Sequence, residues 1–164
     1  MNYAKIVPCD IANGEGVRVT LFVQGCTHRC PGCQNPTTWD AAAGIPFVED
    51  TMQELLDLIR PKYIRGLTFS GGDPLFVQNR LIIGYICERV RKEFGGTKDI
   101  WMWTGYEWDK IKDLDLLHYI DVLVDGPYIE AQRDISLPWA GSRNQHVIDV
   151  KQSLKKNEVV LWEK

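Results

Sequence analysis

The chain has 164 residues, of which 45% are hydrophobic and 25% are charged, which is typical of a folded domain and excludes a disordered chain. Its formal net charge is −3 with no long basic run, which argues against nucleic acid or an anionic membrane as the main partner. We expect one domain over 1–164 and a cytoplasmic location, since no segment reads as a signal peptide or approaches the roughly 20 apolar residues of a membrane span.

The first half of the chain predicts two strands and two helices. Residues 17–23 are rich in β-branched side chains and follow a turn-like "NGEG", which predicts a strand. Residues 48–60 carry apolar side chains at helical spacing and stop before Pro61, which predicts a helix. Residues 66–70 predict a short strand that leads into "GGDPL", and residues 77–94 predict the longest helix, which two glycines end.

The second half continues the alternation. Residues 99–105 predict a strand with several aromatic side chains, 106–114 a short helix and 119–126 a further strand. The remaining segment is less regular, and we predict strands at 146–150 and 158–162.

This order of strands and helices predicts α/β units around a parallel sheet. A complete (β/α)₈ barrel needs about 250 residues, so the length fits a partial (β/α) barrel that is open on one side, or a doubly wound sheet. Both architectures bind ligands outside the carboxyl ends of the strands. The loops after the predicted strands 17–23 and 66–70 are therefore expected to share one site.

The first of these loops contains Cys26, Cys30 and Cys33, three of the five cysteines. Zinc would need a fourth ligand, for which His28 and Cys9 are the nominees, but no second C-x-x-C motif is present. A thioredoxin-type dithiol would explain "CPGC" but not Cys26 or the glycine-rich loop. Closely spaced thiolates also suit an iron–sulfur cluster, and three of them leave one iron of a [4Fe–4S] cluster open.

The other cysteines carry no such signal. A purely structural role as buried thiols would be unusual for Cys26, Cys30 and Cys33, which lie within eight residues among polar residues and glycine. Cys87, by contrast, lies in an apolar helical pattern and is interpreted as core, and Cys9 is isolated and receives no role.

The spacing Cys26-x-x-x-Cys30-x-x-Cys33 resembles the signature of the radical S-adenosylmethionine (SAM) superfamily. The "SGGDP" of residues 70–74, which follows a predicted strand, looks like the glycine-rich SAM-binding motif of that superfamily. More narrowly, the chain is similar to the family of anaerobic ribonucleoside-triphosphate reductase-activating proteins. That similarity lies in 13–40, 67–75, 101–106, 122–128 and 141–150, which occur in family order.

The resemblance implies a partial barrel of the radical SAM type and a [4Fe–4S] cluster with three cysteine ligands, Cys26, Cys30 and Cys33. It implies that SAM binds the open iron, and it implies no catalytic side chain beyond the cluster and the SAM site. In the wider superfamily, Glu is more frequent at the position of Asp73, and an aromatic residue is frequent at that of Gly32. The cofactor-binding residues implied by the resemblance are Gly32, Cys33, Gln34, Gly71, Gly72, Asp73 and Pro74.

The implied activity is that of a radical SAM oxidoreductase that generates a glycyl radical on anaerobic ribonucleoside-triphosphate reductase, with a reduced flavodoxin-like protein as electron donor. The alternatives keep the chemistry but change the substrate, as in 7-carboxy-7-deazaguanine synthase-like proteins and other glycyl-radical activases. An alternative of another class is a zinc-binding interaction module.

Three further features admit structural explanations. Trp101 and Trp103 alternate on one predicted strand and are interpreted as neighbours on one face of the sheet rather than as SAM contacts. Arg18 and Asp125, in or at the ends of predicted strands, suit a buried ion pair as well as a ligand role. The polar segment 141–148 reads as a solvated loop, and the resemblance suggests that it contacts the reductase.

Overall fold

The computed structural model describes residues 1–163 and contains a seven-stranded mixed sheet. The strand order across the sheet is β3-β1-β2-β4-β5-β6-β7, and the two edge strands do not pair to close it. Pairing is parallel from β2 through β4 and β5 to β6, and antiparallel at both ends. The strands are β1 (Asn2–Asp10), β2 (Val17–Val23), β3 (Ile45–Pro46), β4 (Ile64–Gly71), β5 (Asp99–Trp103), β6 (Val122–Val124) and β7 (Val147–Asp149).

Four α-helices and three 3₁₀ turns connect the strands. The helices are α1 (Glu49–Ile59), α2 (Arg80–Phe94), α3 (Trp108–Ile111) and α4 (Val150–Lys156). The 3₁₀ turns are Pro36–Thr38, Asp115–Tyr119 and Glu130–Gln132. None of the helices within residues 1–163 combines the length and apolar character needed to cross a membrane.

The predicted mixed α/β class is confirmed, and so are the main elements from 17 to 124. The helix predicted at 106–114 shortens to four residues, and the strand predicted at 119–126 shortens to three. The parallel sheet is confirmed only for its four central strands, since the edges are antiparallel.

Several details of the prediction were wrong or missing, among them the two-residue strand β3. The predicted strand 158–162 forms no strand, only an isolated bridge of Leu161 with Ile148, and α4 fills the segment before it. The strand predicted at 146–150 covers only Val147–Asp149, and Val150 already begins α4. Strand β1 was not predicted, because its register shifts and partly exposed edge leave no clear alternation of buried and exposed residues.

The two faces of the sheet are covered differently. One face carries aliphatic side chains that form a single core with the buried faces of α1 and α2. The four parallel strands follow one another in chain order without reversal, so the helices lie on this one face and the sheet is not doubly wound. The opposite face carries polar and aromatic side chains, among them Arg18, Thr20, Thr68, Ser70, Trp101 and Trp103.

Arg18 is fully buried on this opposite face and is surrounded by acceptors. Its Nη2 lies 2.6 Å from Oδ1 of Asp99, and its Nε donates to Oγ1 of Thr68 at 2.7 Å. Nη1 donates to the backbone carbonyl of Glu15, and Nη2 donates also to that of Leu67. Burial lowers the pKa of Arg18 from its usual value, and the Asp99 carboxylate opposes that shift. The guanidinium thus joins the segment before β2 to β4 and β5.

Trp101 completes this buried layer. It is fully buried, and the Arg18 guanidinium lies 5.2 Å from its ring centroid. Trp103 stacks beside it at 5.9 Å, as their alternation on one strand predicts, and Trp139 and Trp162 pack edge-on at 5.0 and 5.9 Å. The last two tryptophans come from loops near the C-terminus, so the tryptophan cluster fastens those loops to the sheet.

Replacing Arg18 by Met should destabilise the fold by about 3–5 kcal/mol, since Asp99 would lose its buried partner and two backbone carbonyls and the Thr68 hydroxyl would lose their donor. Urea unfolding of the apoprotein under anaerobic, reducing conditions measures this change.

Arg65→Met is the matched control, because Arg65 pairs with the same carboxylate at 3.0 Å but is 59% exposed. Its loss should cost less than about 1 kcal/mol. Equal losses for the two variants would contradict the role assigned to the buried guanidinium.

Candidate functional site

A cavity of about 520 Å³ lies at the carboxyl ends of the parallel strands, on the face that the helices do not cover. It is lined by the cysteine loop after β2, by the end of β4 with the glycine-rich loop, and by residues that follow β5 and β6. The structure therefore brings together the two loops that the sequence analysis expected to share a site.

The three cysteines of the loop all line this cavity and are all partly buried, with free thiols. The Cys33 amide donates to the Cys30 carbonyl at 3.1 Å, which closes a tight turn between these two residues. The Asn35 amide donates to the Cys33 sulfur at 3.3 Å. The sulfur of Cys33 thus already accepts a backbone N–H group at the edge of the cavity.

The Cys26 side chain is partly buried. Burial raises its pKa, while backbone N–H groups of His28 and Arg29 partly oppose this shift. Arg29 adopts a left-handed conformation with φ 48°, so the chain curls back between the first two cysteines. The loop therefore folds around the cavity instead of continuing the strand.

Neither of the two residues nominated as a fourth zinc ligand is placed to act as a ligand beside the three thiols. His28 directs Nε2 to the Asp73 carboxylate, and Cys9 is exposed on β1. Across residues 1–163, no three His, Cys, Asp or Glu side chains are grouped to hold a single metal ion.

The glycine-rich loop is held against the cysteine loop by backbone contacts. The Gly72 amide donates to the Val23 carbonyl and the Asp73 amide to the Gly25 carbonyl, each at 2.8 Å. A side chain at Gly72 would place its Cβ 2.7 Å from that Gly25 oxygen, and Gly71 has φ 98°. The absence of side chains at both glycines is thus required for the two loops to touch.

Asp73 is 1% exposed, and its carboxylate is occupied by groups of the protein. Oδ2 lies 2.7 Å from Nε2 of His28 and accepts from the Gly105 amide at 3.0 Å. Oδ1 accepts from Oγ1 of Thr104 at 2.9 Å and from the Leu75 amide at 2.8 Å. The carboxylate therefore joins the cysteine loop, the glycine-rich loop and the end of β5.

The other residues expected to bind cofactor differ in placement. Gln34 and both glycines of the loop line the cavity together with Asp73. Gly32 is exposed, and its missing side chain leaves room for the Glu130 carboxylate, 2.9 Å from where a Cβ would lie. Pro74 is buried, and neither it nor Gly32 is among the described residues that line the cavity.

The far wall of the cavity was not anticipated residue by residue. It includes Trp103, Thr104 and Gly105 from the end of β5, and Tyr128 and Trp139 from later loops. The signal for the first three was available, since they directly follow a predicted parallel strand. The last two come from irregular segments, for which spacing along the chain gives no indication of position.

Segment 141–148 is held by side-chain hydrogen bonds, both within the segment and to the loop after β6. Gln145 accepts from the Gly141 amide at 2.9 Å and donates to the Gly126 carbonyl at 2.9 Å. Asn144 donates to the Pro127 carbonyl at 2.7 Å. These amides fasten the segment to the loop after β6, and Gln145 also lines the cavity. A contact of this segment with the reductase stays a prediction.

Arg18 and Asp125 do not pair with each other. The Asp125 carboxylate accepts from the Trp108 amide at 2.9 Å and from the His146 amide at 3.0 Å, and His146 Nδ1 lies 3.0 Å from it. Arg18 pairs with Asp99 instead. Neither residue lines the cavity within the part of the chain that the structure describes.

Comparisons with known proteins show what the chain is similar to. Residues 12–148 match a family model described as a 4Fe-4S single cluster domain. The chain is 48% identical over 147 residues to the anaerobic ribonucleoside-triphosphate reductase-activating protein of Enterobacteria phage T4, which covers 90% of this chain and 93% of the relative. Relatives of the same name from Haemophilus influenzae and Escherichia coli K12 are 46% and 44% identical over 88% and 90% of this chain, and 96% and 97% of their own.

The five thiols should differ sharply in reactivity. Complete burial raises the pKa of Cys87 to about 12, so almost no thiolate is present at pH 8 and the thiol is inaccessible. In the reduced apoprotein, brief alkylation should modify the three loop cysteines and the exposed Cys9 but leave Cys87 intact. Peptide mapping by mass spectrometry measures this pattern.

Alkylation in 8 M urea is the control, and there all five cysteines should react. Rapid modification of Cys87 in the folded protein would contradict its place in the core.

Proposed function

The chain belongs to the family of anaerobic ribonucleoside-triphosphate reductase-activating proteins, and on that premise we propose that it is a radical SAM activase. In this proposal it binds a [4Fe–4S] cluster and SAM and generates a glycyl radical on an anaerobic ribonucleoside-triphosphate reductase. Two findings support this proposal: the relatives are named as activators of that reductase, and the matched family model is described as a 4Fe-4S single cluster domain.

One observation carries the proposal: the three thiols and the glycine-rich loop line a single cavity. Cys26, Cys30 and Cys33 would hold three irons, which leaves the fourth iron for SAM. The donor set fits, since thiolates are the preferred ligands of such clusters and Asn35 already directs an N–H group at the Cys33 sulfur.

When bound, the cluster and SAM would supply a one-electron reductive cleavage of SAM coupled to removal of a hydrogen atom from a glycine α-carbon, with methionine and 5′-deoxyadenosine as the products. A reduced flavodoxin-like protein is the proposed source of the electron. The residues of the chain itself contribute position and shielding.

The shielding follows from the cavity wall. Trp103 and Tyr128 present aromatic surface to the cavity, and the Trp103 indole donates to the Trp139 carbonyl at 2.9 Å, which holds a later loop in place. Backbone at Gly71 and Gly72 lines the same space without side chains. Such a wall suits a bound nucleoside and keeps water from a reactive radical.

The fold fits a large substrate. We propose that the open sheet is a partial (β/α) barrel of the radical SAM type, in line with its four parallel strands in unbroken chain order and a cavity at their carboxyl ends. A barrel that is not closed leaves room for a glycine-bearing loop of a protein to reach the cavity. The net charge of −3 is compatible with a soluble protein partner in the cytoplasm.

The test is anaerobic reconstitution with iron, sulfide, reductant and SAM, followed by detection of 5′-deoxyadenosine. Addition of an anaerobic ribonucleoside-triphosphate reductase should then produce a glycyl radical signal in electron paramagnetic resonance (EPR). A fully loaded protein that forms no 5′-deoxyadenosine would overturn the enzymatic proposal. Formation of 5′-deoxyadenosine with no radical on any such reductase would favour another substrate.

Replacing any one of the three loop cysteines by Ala should abolish SAM cleavage, because a cluster with two protein thiolates is poorly held. Wild type should bind about four irons with matching sulfide. Iron and sulfide analysis, with 5′-deoxyadenosine yield, measures the loss.

Cys87→Ala is the matched control, since this thiol is in the core and not in the cavity. It should keep wild-type iron content and cleavage. One zinc per chain in place of iron would support the zinc-binding alternative.

A further inference from the structure

His28 lies within the cysteine loop, yet its imidazole is engaged by the rest of the protein. Nε2 lies 2.7 Å from Oδ2 of Asp73, a residue 45 positions further along the chain. This contact is a side-chain hydrogen bond between the cysteine loop and the glycine-rich loop, which otherwise touch through their backbones.

The imidazole fills a slot shaped for it. Tyr106 packs edge-on against the ring, with centroids 4.6 Å apart. On another side is Gly105, where an added Cβ would lie 2.5 Å from Cδ2 of His28. The three nearest atoms to that Cβ all belong to His28, so the glycine leaves space for this ring. Only 19% of the His28 side chain is exposed.

The carboxylate that receives His28 cannot easily follow a displaced ring. Thr104 and the amides of Leu75 and Gly105 hold it from other directions, at 2.8–3.0 Å. Asp73 is thus a fixed point, and the hydrogen bond transfers that fixed position to the middle of the cysteine loop.

The two ends of the cysteine loop are held without His28. The Gly25 amide donates to the Thr38 carbonyl at 2.8 Å and the Cys26 amide to the Trp39 carbonyl at 3.1 Å. At the other end, the Cys33 amide closes its turn on Cys30. Loss of the imidazole should therefore loosen the middle of the loop without dismantling it.

We propose that His28 is a positioning residue that sets the cluster relative to SAM. It acts through Asp73 and does not ligate metal; its hydrogen bond sets the register between the loop that holds the cluster and the loop that lines the SAM site. This inference rests on the proposed function. It assigns the Asp73 carboxylate to holding the two loops together, in place of direct contact with SAM.

The test uses four variants of the reconstituted protein. His28→Leu removes the hydrogen bond at similar volume, whereas His28→Gln places an amide N–H near the position of Nε2. Gly105→Ala keeps every polar group but displaces the ring. His118→Leu, at an exposed histidine outside the cavity, is the matched control.

Two measurements separate positioning from cluster binding. The first is iron and sulfide content, which should be unchanged in all four variants. The second is SAM affinity, measured through the change that SAM causes in the EPR spectrum of the reduced cluster. His28→Leu and Gly105→Ala should weaken SAM binding about tenfold, the loss expected when a hydrogen bond to a charged group no longer helps to hold the two loops in the SAM-binding arrangement. His28→Gln should stay within about threefold of wild type, and His118→Leu should match it.

A double variant tests whether Gly105 acts through the ring. In a His28→Ala background, Gly105→Ala should add no further loss, because the atoms it would strike are gone. Additive losses would overturn the coupling between these two residues.

The remaining outcomes are decisive in other ways. Wild-type SAM affinity in His28→Leu, or loss of iron from it, would overturn the positioning role, the latter because His28 would then help hold the cluster. Failure of wild type itself to respond to SAM would overturn the proposed function, and this inference with it.

Discussion

A buried carboxylate needs hydrogen-bond donors, and the site is arranged around the donors that Asp73 collects. The donors come from the cysteine loop, from the residues that follow β5 and from the glycine-rich loop itself. Because one acceptor serves all three segments, their relative positions are coupled. The cavity with the three thiols exists because these segments are held at a common point.

A second constraint is that different kinds of side chain pack on the two faces of the sheet. The helices bury the aliphatic face in one core, as the crossovers between parallel strands require. The other face carries the buried Arg18–Asp99 pair and the tryptophan cluster in place of that aliphatic core. Trp103 and Trp139 of this cluster also line the cavity, so the packing of this face continues into the wall of the site.

The predictable part of the fold came from elements with a clear local signal. Helix α1 was correctly bounded to within a residue or two because its apolar side chains repeat at helical spacing, and strand β2 because its β-branched residues follow a turn-like segment. Strand β1 escaped because its pairing shifts register twice and much of it is exposed. The C-terminal segment 158–162 was assigned a strand on its β-branched residues, but it makes only one isolated bridge.

The site divides in the same manner. From the amino-acid sequence alone follow the three thiols, their spacing, the glycine-rich loop and the expectation that both loops meet, because the carboxyl ends of parallel strands share one edge. The partners of Asp73, the slot for His28 and the wall that contains Tyr128 and Trp139 follow only from the folded chain. These contacts join residues tens of positions apart through loops without a period, and their geometry depends on packing that no local pattern encodes.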